Sequence, residues 1–190
     1  EILTNPNPSI GGRLIELIFH FLKTYGNNYS DIDIAKGINL TNITKTHIYT
    51  KKESMSYVDT IVKELQKAPS FLNEEIIIKG FGSTTHVSVM DKKNNAVSIT
   101  TTNGEGCGYL IPDYGIMPNN MLGEMDLNFF GFHKWESITR LPTMMAPTML
   151  KENNKINYIL GTGGSSRIKS AIVQVLLNLI DKKLSLKDSI

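Results

Sequence analysis

The stretch Lys79–Gly108, KGFGSTTHVSVMDKKNNAVSITTTNGEGCG, sets Ser83, Thr84 and Thr85 directly before one alternating run and Thr100, Thr101 and Thr102 at the end of the next. Strand propensity accounts for part of this threonine content. Chemistry accounts for it differently. A threonine hydroxyl is a weak nucleophile, but a threonine that begins a chain has its own α-amine close enough to take the proton. Such a residue has to follow a cleavable bond and lead a rigid strand. Thr84 meets both conditions, with the flexible GFGS before it and HVSVMD after it. The same hydroxyl, attacking the Ser83 carbonyl, would leave an ester that water opens. On this pattern alone Ser83 and Thr85 remain equal candidates.

A second chemical signal lies in KINYILGTGGSSRIKSAIVQVLLNLIDKKL, which reads as strand, glycine loop and helix. Backbone amides of Gly163, Gly164 and Ser165 at a helix start can hold negative charge, either a phosphate or the oxyanion of an acyl transfer. A dinucleotide fingerprint would need a glycine where Ser166 stands and a returning strand for which too little chain remains. A Walker loop is excluded, since no Lys precedes a Ser or Thr at the helix start. A purely structural glycine turn is the third reading.

The elements that must carry these groups fall into two halves. GGRLIELIFHFLKTYG places Leu14, Ile18, Phe21, Leu22 and Tyr25 on one helical face, with Gly26 as a stop. A second helix is expected from Ser56 to Ala68, opened by Ser56 and Asp59 and ended by Pro69. His20 on the first helix has no second ligand at helical spacing and reads as a partly exposed or satisfied histidine rather than a ligand. From His86 to Ile99 the period changes to two: Val87 and Val89, the turn DKKNN, then Val97 and Ile99, a hairpin whose strands should sit in a core. A long Gly-rich region through Trp135 follows, of a length that points to function. On the last helix Ile168, Ile172, Val175, Leu176 and Leu179 form the apolar face.

Composition excludes several classes. A chain of 190 residues can bury a core as one domain or two. The formal charge of +2 is too mild for a nucleic-acid partner or an anionic membrane, and the lysine pairs read as solvated turns. Cys107 stands alone, which excludes an internal disulfide and a cysteine-based zinc site, and reads as a small buried residue. No apolar run reaches the ~20 residues of a membrane span. The first residues lack a signal-peptide pattern and an initiator Met, so the chain is expected to begin inside a longer protein.

Taken together, TTHVSVMDKKNNAVSITTTN, GIMPNNMLGEMD, RLPTMMAPT and LGTGGSSRI resemble, in order and spacing, the γ-glutamyltranspeptidase family of N-terminal nucleophile hydrolases. The resemblance runs from Gly82 to about Leu179, and NPNPSIGG is similar to a Pro-rich segment of the family's large subunit. It implies an α/β (α+β) fold, a four-layer αββα sandwich. Residues 1–83 would form the end of the large subunit, mainly helical with a linker, and 84–190 the small subunit, the two making a heterodimer after autocleavage. It selects Thr84 as nucleophile, two residues before His86, with Thr102 in support and the amides of Gly164 and Ser165 as the oxyanion hole. The implied reaction is hydrolysis or transfer of the acyl group of a glutathione-like γ-glutamyl amide through an acyl-enzyme. The implied cofactor and metal requirement is none.

The departures from the family fall on substrate recognition. Its paired serines for the substrate α-carboxylate correspond to Thr143 and Met144. Its amine-binding Asn or Glu corresponds to Gly104, flanked by Asn103 and Glu105, and its glutamine and acid after NN correspond to Met121 and Glu124, with Asp126 nearby. The family's carboxylate-binding arginine would precede this chain. Asn103, Glu105, Glu124, Asp126 and Thr143 are therefore the candidate substrate-binding residues. A related acylase with another acyl substrate and a non-catalytic relative are the alternatives. Residues with structural readings are His86 (a hydrogen-bonding support), His133, Trp135 and the nearby phenylalanines (loop packing), and Met144 and Met145 (core).

Overall fold

The structure, a computed structural model, describes residues 1–6, 9–50, 84–128, 130–135 and 140–190. The helix expected at 56–68 lies outside them. Helix α1 spans Gly11–Lys23 and buries Leu14, Ile18, Phe21 and Leu22 of the expected face, together with Ile15 and Leu17. Tyr25 lies past its end and meets the Phe21 ring edge-on at 5.4 Å, and Gly26 takes the left-handed φ of 62° that suits the stop.

Helix α2, Asp31–Thr50, has no legible apolar stripe. It buries Ile34 and Leu40 but also Thr41 and Thr44, while Ile32 and Ile43 face outward. The threonines can be buried because their hydroxyls donate to carbonyls of their own helix, Thr41 to Ile38 and Thr44 to Leu40. Its start is a capping box: the Asp33 N–H donates to Ser30 Oγ and the Ser30 N–H to Asp33 Oδ2. The Ser30 hydroxyl, donating to Asp33 Oδ2 at 2.7 Å, and then the Ser30 N–H hold the Asp33 carboxyl at a pKa of about 2, with Lys36 beyond.

Strand β1 (Ile2–Thr4) pairs antiparallel with β4 (Thr148–Glu152), which pairs with β5 (Lys155–Leu160) across a turn at Asn153 and Asn154, both in the left-handed region. Strands β2 (Thr84–Met90) and β3 (Ala96–Thr102) form the expected hairpin. Its turn is closed by the Asp91 carboxylate, which accepts the N–H groups of Lys93 and Asn95. Asn94 bonds both backbone groups of Ile156, and four residues on Ser98 Oγ donates to the Leu160 carbonyl, so β3 follows β5 in the same direction.

Helix α3 (Ile168–Ile180) closes the core with Ile168, Ile172, Val173, Leu176, Leu177 and Leu179, and a short helix α4 (Leu186–Ser189) follows. Val173 and Leu177 take core positions, while Val175 is half-buried. Ile2, Leu150 and Leu160 of the three-stranded sheet pack on this helical cluster with Met144 and Ala146. Residues on both sides of Thr84 thus share one core, and Met144 is the filler its sequence suggested.

Three expectations are corrected. The apolar face of the hairpin is not in a core among the described residues: Val87, Val89, Val97 and Ile99 are about half exposed. The hairpin turns its Thr84, His86 and Thr102 face to the glycine loop instead. Cys107 is exposed, held between Gly106 and Gly108 in a turn where its amide donates to the Pro118 carbonyl. Of the loop aromatics, Trp135 packs by donating to Asn128 Oδ1 at 2.8 Å, whereas Phe130 and Phe132 are exposed.

Candidate active site

Antiparallel pairing sets Thr84, the first residue of β2, opposite Thr102, the last of β3. Opposed side chains share a face, and Thr84 Oγ1 donates to Thr102 Oγ1 at 3.3 Å. Thr102 Oγ1 also accepts the Gly104 N–H at 3.0 Å, so it is fixed from a second side. Branching at Cβ restricts χ1 of both residues and holds the hydroxyl directions. Thr85 alternates to the other face, where it is exposed. His86 returns to the Thr84 face, its ring held by Thr100 Oγ1 at 2.8 Å and Ser88 Oγ at 2.9 Å. Burial pushes its pKa down, and with both ring nitrogens engaged it is the support expected of it.

The glycine loop lies directly on this pair. A methyl group on Gly163 would stand 2.9 Å from the Thr84 carbonyl oxygen and 3.0 Å from its Cβ, and one on Gly161 would overlap the His86 ring. Past Gly163 the chain takes left-handed φ values twice, 120° at Gly164 and 50° at Ser165, before the turn Ser165–Arg167 leads into α3. A left-handed serine is strained by roughly 1–2 kcal/mol. Its Oγ donates to Asp126 Oδ2 at 3.0 Å, and Asp126 Oδ1 pairs with Lys45 Nζ at 3.3 Å.

Beside the threonines stands an acidic wall. Burial, then the charges of Asp126 and Glu105, push the Glu124 pKa up. Gly104 leaves no hole in this wall: at its φ of 63° a Cβ would meet Glu124 Oε1 at 2.7 Å and overlap Asn120 Oδ1. Asn120 Oδ1 accepts the Glu105 N–H at 2.7 Å and its own N–H donates to the Asn103 carbonyl. Asn120 was missed by sequence reasoning, although the NN pair marked the place. No group of three or more His, Cys, Asp or Glu fit to hold a metal ion occurs among the described residues.

The structure therefore brings Thr84, Thr102, the glycine loop, Glu105, Glu124 and Asp126 into one neighbourhood. Asn103 is exposed, and its side chain reaches toward the Met117 carbonyl at 3.4 Å. Thr143 is tied to the start of the chain: its carbonyl accepts the N–H groups of Ile10 and Gly11, and its hydroxyl accepts that of Met145 at 3.1 Å.

Comparison with known proteins gives these features a family setting. The sequence model described as Gamma-glutamyltranspeptidase matches residues 12–190. The chain is 34% identical over 111 residues to a glutathione hydrolase proenzyme of Bacillus subtilis strain 168, covering 57% of this chain and 19% of that protein. It is 25% identical to a glutathione hydrolase proenzyme of Pseudomonas sp. strain A14, covering 100% of this chain and 39% of that protein. An acylase ACY 1 proenzyme of Pseudomonas sp. strain SE83 is 35% identical over 114 residues, with 56% and 20% covered. The chain thus spans well under half the length of these relatives. Among solved structures, gamma-glutamyltranspeptidase from Pseudomonas nitroreducens complexed with L-DON is similar at a TM-score of 0.50 and 28% identity, over 55% of this chain and 61% of that one.

Proposed function

Because this chain belongs to the gamma-glutamyltranspeptidase family, we propose that it carries the end of the large subunit and the small subunit of an autoprocessed γ-glutamyl hydrolase or transferase. The observation that supports this most is the Thr84–Thr102 pair beneath the glycine loop. In the precursor, Thr84 Oγ attacks the Ser83 carbonyl, the C–N bond breaks as an ester forms, and water opens the ester. Thr84 is then left with a free α-amine, and 84–190 becomes the small subunit of a heterodimer. Names of relatives as proenzymes accord with this order of events.

In turnover the α-amine takes the Thr84 hydroxyl proton as Oγ attacks the γ-carbonyl carbon of a γ-glutamyl amide. Negative charge gathers on the carbonyl oxygen, toward the amides of Gly164 and Ser165. The proton passes to the departing amine as the C–N bond breaks, leaving an acyl-enzyme. Water or an acceptor amine then resolves it. Thr102 holds the hydroxyl in line throughout. The acidic wall of Glu105, Glu124 and Asp126 suits a substrate ammonium, whose charge would offset the repulsion that adds to burial in pushing the Glu124 pKa up. Asn103 and Thr143 complete the proposed substrate contacts. The remaining layers of an αββα sandwich would cover the exposed valines of the hairpin.

One observation favours a second reading. Met144, where the family carries a serine, is buried in the core and offers no hydroxyl to a substrate carboxylate. An acylase without a demand for the glutamyl α-groups would tolerate that change. Release of p-nitroaniline from γ-glutamyl-p-nitroanilide and from glutaryl-p-nitroanilide, which lacks the α-amine, separates the two. The γ-glutamyl reading requires the first to be preferred; a preference for the second supports the acylase, and turnover of neither supports a non-catalytic relative.

A further inference from the structure

Lys169 stands in the first turn of α3, directly behind the glycine loop, and is 4% exposed. A buried ammonium is costly unless its protons are bonded. This one donates to the Ser166 carbonyl and to Asn42 Oδ1, each at 3.0 Å. Ser166 is the middle residue of the turn Ser165–Arg167, and Asn42 lies on α2. The charged groups that act on Lys169 are Lys45 of α2 and Asp126 of the turn Met125–Leu127. Asp126 in turn holds Lys45 and Ser165 Oγ, so two cations and one carboxylate lie beneath the loop. The N-terminal end of a helix disfavours a cation, and an apolar side chain of similar volume would fill the space at less desolvation cost. Neither helix electrostatics nor packing explains a lysine here.

We propose that Lys169 is a positioning residue for the oxyanion loop: its ammonium pins the Ser166 carbonyl to α2 and places positive charge behind the amides of Gly164 and Ser165. This rests on the acyl-transfer reading of the site. Burial, then Lys45, bring the Lys169 pKa down to about 8, against the opposing pull of Asp126. Its charge is therefore present below that pH and lost above it. The freed α-amine of Thr84 acts in the opposite sense, because it must lose its proton to serve as base. The amine gives activity its rising limb with pH and Lys169 its falling limb.

The test uses the full-length precursor after processing, as wild type, Lys169→Met and Lys169→Arg. Two readouts are taken: the pH profile of kcat on γ-glutamyl-p-nitroanilide, and hydrogen exchange of the backbone segment 161–168. Lys169→Met should lower kcat by ~10-fold or more with KM within about twofold, and should speed exchange of the loop amides. Lys169→Arg, charged at every pH used, should restore kcat and abolish the falling limb near the Lys169 pKa. If the Met variant does not fold, that loss of the limb in the Arg variant carries the test alone. Wild-type loop exchange in Lys169→Met, or an unchanged falling limb in Lys169→Arg, overturns the proposal. Faster loop exchange in Lys169→Met with no wild-type turnover supports the pinning and contradicts the acyl-transfer reading.

Discussion

Thr84 Oγ1 and Thr102 Oγ1 stand 3.3 Å apart across the register pair that joins the first residue of β2 to the last of β3. In the proposed mechanism Thr102 is therefore an orienting group rather than a reacting one. Thr102→Ala should slow both chain cleavage and turnover by about fivefold or more, the worth of a hydrogen bond of ~1 kcal/mol. Thr102→Ser should lie between that variant and wild type. Band densitometry of the precursor over time, with kcat on a γ-glutamyl anilide, checks both.

Gly163 makes the sharpest steric prediction. Because its missing Cβ would stand 2.9 Å from the Thr84 carbonyl oxygen, Gly163→Ala should push the loop off Thr84 and leave the precursor largely uncut. Gly123→Ala, with nothing near its Cβ, should be processed normally. Equal processing of the two would show that the loop does not bear on Thr84.

The Ser165–Asp126 bond separates backbone from side chain. Ser165→Gly relieves a left-handed serine and keeps the amide, so stability should change by no more than about 1 kcal/mol and kcat should survive. Ser165→Pro, which lacks the N–H and cannot adopt the φ of 50°, should lower kcat ~10²-fold or more. Urea melts alongside kinetics distinguish these outcomes.

The α2 capping box predicts a pH signature. Asp33 is held at a pKa of about 2, below its unfolded value, so its contribution to stability is present above the unfolded pKa and fades as pH falls through about 2. Ser30→Ala should cost ~1 kcal/mol at neutral pH, and the difference from wild type should shrink in acid. Chemical denaturation at two pH values reads it.

The legible parts of the sequence were those where one physical rule acts alone. Helix α1 and the β2–β3 hairpin show clean periods, and α3 follows its glycine loop. Helix α2 was illegible because Thr41 and Thr44 satisfy their hydroxyls on their own helix and occupy the buried face, while Ile32 and Ile43 point outward. The box at Ser30 and Asp33 could have announced it. Strand β1 is three residues long, too short for any period. In the site, alternation distinguished Thr84 from Thr85 only once the loop was known to cover the Thr84 face. The acidic wall around Gly104 depends on a tertiary approach by Asn120 and Glu124 that no local pattern encodes.

The central claim is that one hydroxyl, that of Thr84, both cuts the chain and attacks substrate. Its most direct test is N-terminal sequencing of the smaller band from the full-length precursor carrying Thr84→Ala, Thr84→Ser or Thr85→Ala. A single uncut, inactive chain for Thr84→Ala, slower maturation for Thr84→Ser, and a small subunit beginning at Thr84 for Thr85→Ala are the predicted results. A small subunit that begins at residue 85 in the wild type, or normal cleavage of Thr84→Ala, would contradict it.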